Sequence, residues 1–371
     1  MEKIKVGFFN CFFPAISGGA EYQTYLLSQC LDPKRFEIFF LSLNSRQEGM
    51  QEISGIKVYF FKPHGSIYRL IDDGYISNFK YFKSILQHEK PDVVYQMMGN
   101  SATGMLEYLS KELGFKFIWA CASDADLWYL QPFSLFQIRR IPDYFLKRRG
   151  ICKADLLLVQ TEHQKYQIKK QFRRNAVLLR NLHSVPLDLP LKSTEEIRVV
   201  WIANFKPLKQ PDLFIDLAGR FKEHNMVRFI MIGRPGPKEW QKKIELRIEH
   251  LNNLSYLGEL SQYDVNENLK YSHILVNTSK YEGFSNTFIQ AWMRKLPVVS
   301  LNVDPNRLLS AGGLGYCSHN IENLYYDVRR LIHDKQLRDL IGEKARNYAC
   351  EYHSIDKVGK EFQELLNLLV S

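Results

Sequence analysis

Apolar and polar positions along the chain follow two alternating periods. Short, nearly unbroken apolar runs read as buried strands: "KVGFFN", "EIFFLSLN", "KVYFFKP", "DVVYQMMG", "FKFIWACAS", "DLLLVQTE" and "VLLRN". Between them apolar residues recur at helical spacing. "GGAEYQTYLLSQCL" sets Tyr22, Tyr25, Leu26 and Cys30 on one helix face, and "SNFKYFKSILQH" and "SATGMLEYLSKELG" predict two further helices. Strands alternating with helices predict parallel βαβ units, which bind ligands at the carboxyl ends of their strands.

The alternation stops at Ser184–Ile197, where Pro186 and Pro190 interrupt a stretch of no clear period, and this predicts a linker. It then restarts with "RVVWIANF", a helix from Asp212, "VRFIMIG", a helix over 238–250, "LSYLG", a helix over 262–271, "HILVNTS" and "PVVSLN". "SIDKVGKEFQELLNLLV" predicts a final amphipathic helix. The expected organisation is an α/β domain over 1–185, a second over 196–350, and a C-terminal helix over 351–371 packing back on the first. A length of 371 residues suits two cores rather than one.

Composition narrows the class only modestly. With 45% hydrophobic and 24% charged residues the chain reads as globular, and no apolar run reaches the roughly 18 residues of a membrane span. The N-terminal "MEKIKVGFFNCFFPAISGGA" has the outline of a signal peptide, but Asn10 and Pro14 break its apolar stretch and "IKVGFFN" reads better as a first strand. Six scattered cysteines without a C-x-x-C pair predict reduced thiols and a cytoplasmic protein. The net charge is +10, and Gln137–Arg180 alone holds twelve Lys or Arg against three acidic residues. Trp128, Tyr129, Phe133, Phe136 and Phe145 interleave with the first of these cations, so 128–149 predicts contact with an anionic membrane surface, or else an ordinary helix with its aromatics in the core. No nucleic-acid-binding module is recognisable.

The chemistry concentrates in "YEGFSNTFIQAW", Tyr281–Trp292, between a buried strand and an apolar helix. A helix starting near Ser285 would turn unpaired N–H groups toward the strand end, a seat for phosphate. Gly283 would let the backbone come close, and Glu282 would accept hydrogen bonds from sugar hydroxyls. Gln290, eight residues on, would meet the far end of a nucleotide-sugar; the plainer alternative makes Glu282 a helix-terminal charge and Gln290 a surface residue.

"SKYEGFSNTFIQAWMRKLPVVS" resembles the signature of retaining, family-four glycosyltransferases of the GT-B fold. "SGGAE", "NFKPLKQPDLFIDLAGRF", "FIMIGRPG" and "LGELSQYDVNENLKYSHILVNTS" are similar to other segments of that family in the same order. The resemblance implies two Rossmann-like domains facing a cleft, with the last helix crossing back. It implies that Glu282 and Lys209 act on the donor sugar and its diphosphate. It further implies that Gly18, Gly19, Asn204, Lys206, Gly283, Phe284, Ser285, Asn286 and Gln290 line the donor site. Two positions depart from the pattern: Gln290 stands where the family has a second acid, and Asn204 where it has an arginine, with Lys206 the nearest substitute. Ser17 is a candidate cap for the first helix.

"WACASDADLW" offers Asp124 as a catalytic candidate and Asp126 for acceptor or proton handling. Their D-x-D spacing also fits a divalent metal on a donor diphosphate, and helix-capping aspartates would look the same. Asn181 reads as a hinge residue. The expectation is a glycosyltransferase moving a hexose-type sugar from a UDP- or GDP-sugar to a saccharide or lipid-linked saccharide. It would use no cofactor and no metal, and would sit at the inner membrane face. A GT-B-fold epimerase and a non-catalytic nucleotide-sugar-binding scaffold are the alternatives.

Overall fold

The computed structural model describes residues 2–10, 12–13, 18–44, 48–62, 74–128 and 141–371. The chain divides into two compact units. One holds Met1–Leu182 and Ile355–Ser371, the other His183–Ser354.

The first unit is built on an eight-stranded sheet. Its strands are β1 (Ile4–Phe9), β2 (Phe36–Leu43), β3 (Gly49–Ile53), β4 (Ile56–Phe61), β5 (Val93–Met97), β6 (Lys116–Ala120), β7 (Leu156–Val159) and β8 (Val177–Leu178), in the order β3-β4-β2-β1-β5-β6-β7-β8. All neighbours run parallel except β3 and β4. Alternate residues of each strand enter the cores on the sheet's two faces. Phe9, Phe39, Val94, Phe117 and Trp119 lie on one face, and Phe8, Phe40, Tyr95 and Ile118 on the other. Burial on both faces is why these strands read as continuous apolar runs. The crossover helices are α1 (Gly19–Gln29), α2 (Phe79–Glu89), α3 (Ser101–Leu113), α4 (Ile141–Lys153) and α5 (Glu162–Phe172).

The second unit carries a six-stranded, all-parallel sheet. Its strands are β9 (Ile197–Ile202), β10 (Val227–Ile232), β11 (Leu254–Tyr256), β12 (Ile274–Asn277), β13 (Val298–Ser300) and β14 (Gly315–Cys317), in the order β11-β10-β9-β12-β13-β14. Its helices are α6 (Pro211–Gly219), α7 (Lys238–Ile248), α8 (Gln262–Tyr271), α9 (Asn286–Trp292), α10 (Ile321–His333) and α11 (Lys335–His353). The last helix, α12 (Ile355–Val370), returns to the first unit. There Val358, Phe362 and Leu366 join the core around Leu26 and Leu27, and Phe362 meets Tyr95 at 5.7 Å.

Three local features differ from the sequence expectation. β3 was not anticipated, because "GMQEI" is mostly exposed and lacks an apolar alternation. It forms through a hairpin whose turn residues, Ser54 and Gly55, both take positive φ (52° and 78°), the backbone of a tight two-residue turn. The apolar helix expected from near Ser285 is also short, spanning only Asn286–Trp292. Lys295 adopts a left-handed conformation (φ 59°) and Leu296 N–H bonds back to Ala291 O at 3.0 Å, closing the helix after two turns. Gly18, not Ser17, caps α1; Ser17 lies outside the described residues, and Gly18 has extended backbone (φ −170°).

Candidate functional site

In an open parallel sheet the crevice for a ligand lies where the strand order reverses. In the second unit that point falls between β9 and β12, and the loops leaving these strands carry Lys209 and Glu282. Their backbones are fastened together. Lys280 N–H donates to Leu208 O at 2.9 Å, and Lys209 N–H donates to Lys206 O at 2.8 Å. Thr278 Oγ1 reaches Lys209 O at 2.7 Å and Gln210 O at 3.0 Å while accepting from the buried Trp201 indole at 2.9 Å.

The result is an ion pair between residues 73 positions apart: Lys209 Nζ stands 2.9 Å from Glu282 Oε1. Asn277 Nδ2 (2.8 Å) and Ser279 Oγ (2.6 Å) donate to that same oxygen. Oε2 has no protein partner among the described residues, and the side chain keeps 14% of its surface exposed. Burial works to raise the Glu282 pKa, but the Lys209 charge and the hydrogen bonds from Ser279, Asn277 and Lys209 outweigh it. The carboxyl therefore sits below the usual range and is ionised at neutral pH. Asn277 and Ser279 were not singled out from the sequence, where "NTS" reads as an ordinary polar strand end. The signal for them was their place at and just after the end of β12, five and three residues before the acid.

The other candidates of this unit fall in different roles. Gly283, Phe284 and Ser285 are buried, and Phe284 packs edge-on against Trp292 and 4.8 Å from the His353 ring. Ser285 caps α9 without a side-chain bond, its Oγ instead meeting Thr287 Oγ1 at 2.9 Å. At seven residues α9 has only a small dipole, so Lys209, not the helix start, is the main positive charge here. Asn286 hydrogen-bonds to His183, which is itself buried and bonded through its N–H to His353 O. Gln290 is 3% exposed, and its Nε2 donates to Gln262 and Asn266 of α8, both at 3.2 Å. Asn204 accepts from the Arg234 N–H at 3.2 Å, tying the loop after β9 to the loop after β10. There Gly233 (φ 153°) lies so close to Ala203 O that a Cβ would stand 1.8 Å from it. Lys206 is exposed.

In the first unit, Asp124–Leu127 form a short 3₁₀ turn after β6. Asp126 accepts from the N–H groups of Gly99 (3.1 Å), Ala122 (2.8 Å) and Ser123 (3.1 Å). Burial raises its pKa despite those three bonds. Asp124 Oδ1 accepts from Gln164 Nε2 at 3.1 Å. The two aspartates thus turn to different partners, Asp126 spending Oδ2 on its own loop's amides, which is the capping arrangement, and Oδ1 on Gly99 of the loop after β5. No cluster of three or more metal-ligating side chains occurs among the described residues.

The basic segment is partly structural. Arg174 donates to Cys152 O and Ala154 O (2.7 Å) at the C-terminus of α4, and Arg149 pairs with Glu107 at 3.0 Å. Arg148 lies 4.8 Å over the Phe172 ring. Trp128 (49%) and Phe145 (61%) are exposed, while 129–140, with Tyr129, Phe133, Phe136, Arg139 and Arg140, lie outside the described residues. No helix among the described residues is long and apolar enough to cross a membrane. An open depression of about 660 Å³ beside Tyr326, Arg329, Arg330 and His333 shares no residue with the Lys209–Glu282 pair.

Known proteins bear on this geometry as follows. Residues 190–348 match the model of the family described as glycosyl transferases group 1. The poly(ribitol-phosphate) alpha-N-acetylglucosaminyltransferase of Staphylococcus aureus (strain COL) is 29% identical over 226 residues, 58% of this chain and 44% of that protein. The chain spans about half the length of the curated relatives it matches. Among solved structures, sucrose-phosphate synthase from Thermosynechococcus elongatus superposes with a TM-score of 0.81 at 12% identity, over 99% of both chains. Anabaena HepE in complex with UDP does so with a TM-score of 0.72 at 15% identity, over 98% of this chain and 100% of that one. These likenesses show the fold, GT-B, as the sequence implied.

Proposed function

Residues 190–348 belong to the glycosyl transferases group 1 family, and from that premise we propose that the chain transfers a hexose-type sugar, with retention, from a UDP- or GDP-sugar to a saccharide hydroxyl. The observation that carries this is the Lys209–Glu282 pair at the β9/β12 reversal, with one carboxylate oxygen held by three donors and the other open.

In the proposed reaction Lys209 faces the donor diphosphate and offsets the charge that grows as the sugar–phosphate bond breaks. The open Oε2 of Glu282 accepts a hydrogen bond from a sugar hydroxyl, fixing the ring against that bond. Lys206, exposed one turn earlier, adds a second cation in place of the family's arginine. The acceptor attacks from the face the nucleotide leaves, and its proton passes to the departing phosphate. No protein nucleophile is assigned. Asp124 is the hydroxyl-binding carboxylate proposed for the first unit, and Asp126 holds the loop on which it sits. Gln290, tied to Gln262 and Asn266, offers an uncharged amide where a second acid would bind the ribose. UDP supports this reading as the ligand in the solved HepE complex, and poly(ribitol-phosphate) as the substrate in the bacterial relative's name. A polymer or lipid-linked acceptor in cell-surface polysaccharide synthesis, reached by a cytoplasmic enzyme docking through Trp128, Phe145 and nearby cations, completes the proposal.

Incubation with a panel of UDP- and GDP-sugars, with and without saccharide acceptors, tests it by release of nucleoside diphosphate. Turnover that rises with one acceptor is the expected result. Donor binding with no diphosphate release would identify a scaffold, and isomerised sugar with little diphosphate an epimerase.

A further inference from the structure

The carboxyl edge of the second unit's sheet carries the Lys209–Glu282 pair, and its amino edge carries the open depression of about 660 Å³. α10 begins three residues past the end of β14 and runs back along the sheet, so its last turn lies at the opposite edge. His333 marks the place: its ring stands 6.1 Å from that of His224, three residues before β10 begins. The 13 residues of α10 span about 20 Å. A single sugar residue cannot reach both edges.

The lining is chemically mixed. From α10 come Tyr326, Arg329, Arg330 and His333, at the i, i+3, i+4 and i+7 spacing of one helix face. From the start of α11 come Asp334, Lys335 and Gln336. The fold does not need the two arginines. Basic side chains in a last turn commonly serve the open carbonyls of the helix. Here those of Arg330, Leu331 and Ile332 are taken by the Asp334 N–H (2.9 Å) and by the buried Arg338 guanidinium (2.6 and 3.1 Å). Arg329 makes no hydrogen bond or ion pair among the described residues. Arg330 lies 5.9 Å over the Tyr316 ring, and Lys335 pairs with Asp339 within α11. Asp334 Oδ1 accepts from the Leu337 N–H (2.8 Å), while Oδ2 has no protein partner among the described residues. The Tyr326 ring is 59% exposed.

We propose that this depression is a second binding site, separate from the donor site, for a polyol or sugar chain joined by phosphodiesters. Arg329 and Arg330 each present a planar fork that meets two phosphate oxygens. The Asp334 carboxylate in the same recess repels a bare anion but accepts from hydroxyl groups, and Gln336 beside it donates and accepts. The Tyr326 ring covers the C–H surface of the polyol. The recess, at about 660 Å³, has the roughly 300–1,000 Å³ of a small-molecule site. It suits charge and hydroxyl alternating along a chain, not either alone. A long chain held here raises the local concentration of its other segments at the carboxyl edge. That this chain is the glycosyl acceptor rests on the glycosyl-transfer reading; the site itself does not.

Calorimetric titration of the full-length protein at about 0.15 M salt tests the site. The probes are a synthetic ribitol-phosphate octamer, polyphosphate and oligouridylate of equal charge, and phosphatidylglycerol vesicles. The octamer should bind saturably and at least tenfold more tightly than the other three. Replacing both exposed arginines, Arg329→Gln with Arg330→Gln, should weaken the octamer at least tenfold and leave nucleotide affinity unchanged. Asp334→Asn keeps the cap oxygen and should erase the preference over polyphosphate. In transfer assays the arginine variant should raise KM for the octamer at constant kcat, with KM for free ribitol unmoved. Octamer binding indifferent to the arginines, or polyphosphate, oligouridylate or vesicles bound as tightly, overturns the site. Arginine-dependent octamer binding without diphosphate release from any donor overturns the glycosyl-transfer reading and leaves the site standing.

Discussion

Glu282 divides its two oxygens between structure and ligand. Oε1 is held by Asn277, Ser279 and Lys209, while Oε2 stays open. Glu282→Gln keeps an oxygen for Asn277 and Ser279 but removes the charge, so the fold should persist while kcat/KM for transfer falls by about 100-fold, the loss of one charge-assisted contact in the transition state. The pH behaviour has a definite sign. Because the folded pKa is lowered, the ionised form contributes stability that is present above the unfolded carboxylate value, about 4.3. That contribution is lost only as pH falls through the lower folded value. The kcat/KM profile should therefore show no acid limb from Glu282 between pH 5 and 8; an acid limb there that disappears in Glu282→Gln would contradict this assignment. The acid and the lysine were legible in the sequence because each sits at a strand end in a stretch resembling a known family. Their shared oxygen was not, since Asn277 and Ser279 gain meaning only once the turn is folded.

At the scale of elements, two devices hold the site. Thr278 clamps the β9 and β12 loops through three hydrogen bonds. Thr278→Val keeps the shape and removes all three, leaving the Trp201 indole N–H unpaired. The expected cost is about 1–3 kcal/mol in urea unfolding, with a fall in kcat/KM as Lys209 loses its anchor. The second device is the buried His183, which bonds to Asn286 and to the His353 backbone, while the His353 ring lies against Phe284. Burial first, then His353 and Arg294, push the His183 pKa down to about 3. The unfolded chain binds this proton near pH 6.5 and the folded one does not. Stability should thus fall as pH drops from about 6.5 toward 3, by up to about 1.4 kcal/mol per pH unit. Urea titrations at pH 7.5, 6 and 5 check this, and His183→Gln should flatten the slope. Parallel strands and crossover helices were legible from period alone. β3 and the early end of α9 were not, because each is set by positive-φ backbone at Ser54 and Lys295, residues whose side chains do not announce it.

On the scale of the molecule, two parallel sheets each reverse their order once, and polar groups gather at both reversals. One set is charged, at Lys209 and Glu282, and the other neutral, at Gln96 and Asn100. Sequence patterns located the first because it carries a recognisable motif, while the second consists of amides inside an apolar run. The first unit is completed by α12, whose Val358, Phe362 and Leu366 are buried. At roughly 1.5–3 kcal/mol each, their removal approaches a domain's whole stability. A chain ending at Ser354 should lose the calorimetric transition of the first unit while retaining that of the second. The central claim is that Lys209 holds the diphosphate and Glu282 the sugar. Calorimetric titration with UDP and with UDP-glucose, or with whichever nucleotide and sugar the panel selects, separates the two roles. Lys209→Met should weaken both ligands about tenfold or more, whereas Glu282→Gln should weaken the nucleotide-sugar and leave the nucleotide unchanged or tighter. Equal losses for both ligands in Glu282→Gln, or none in Lys209→Met, would contradict the account.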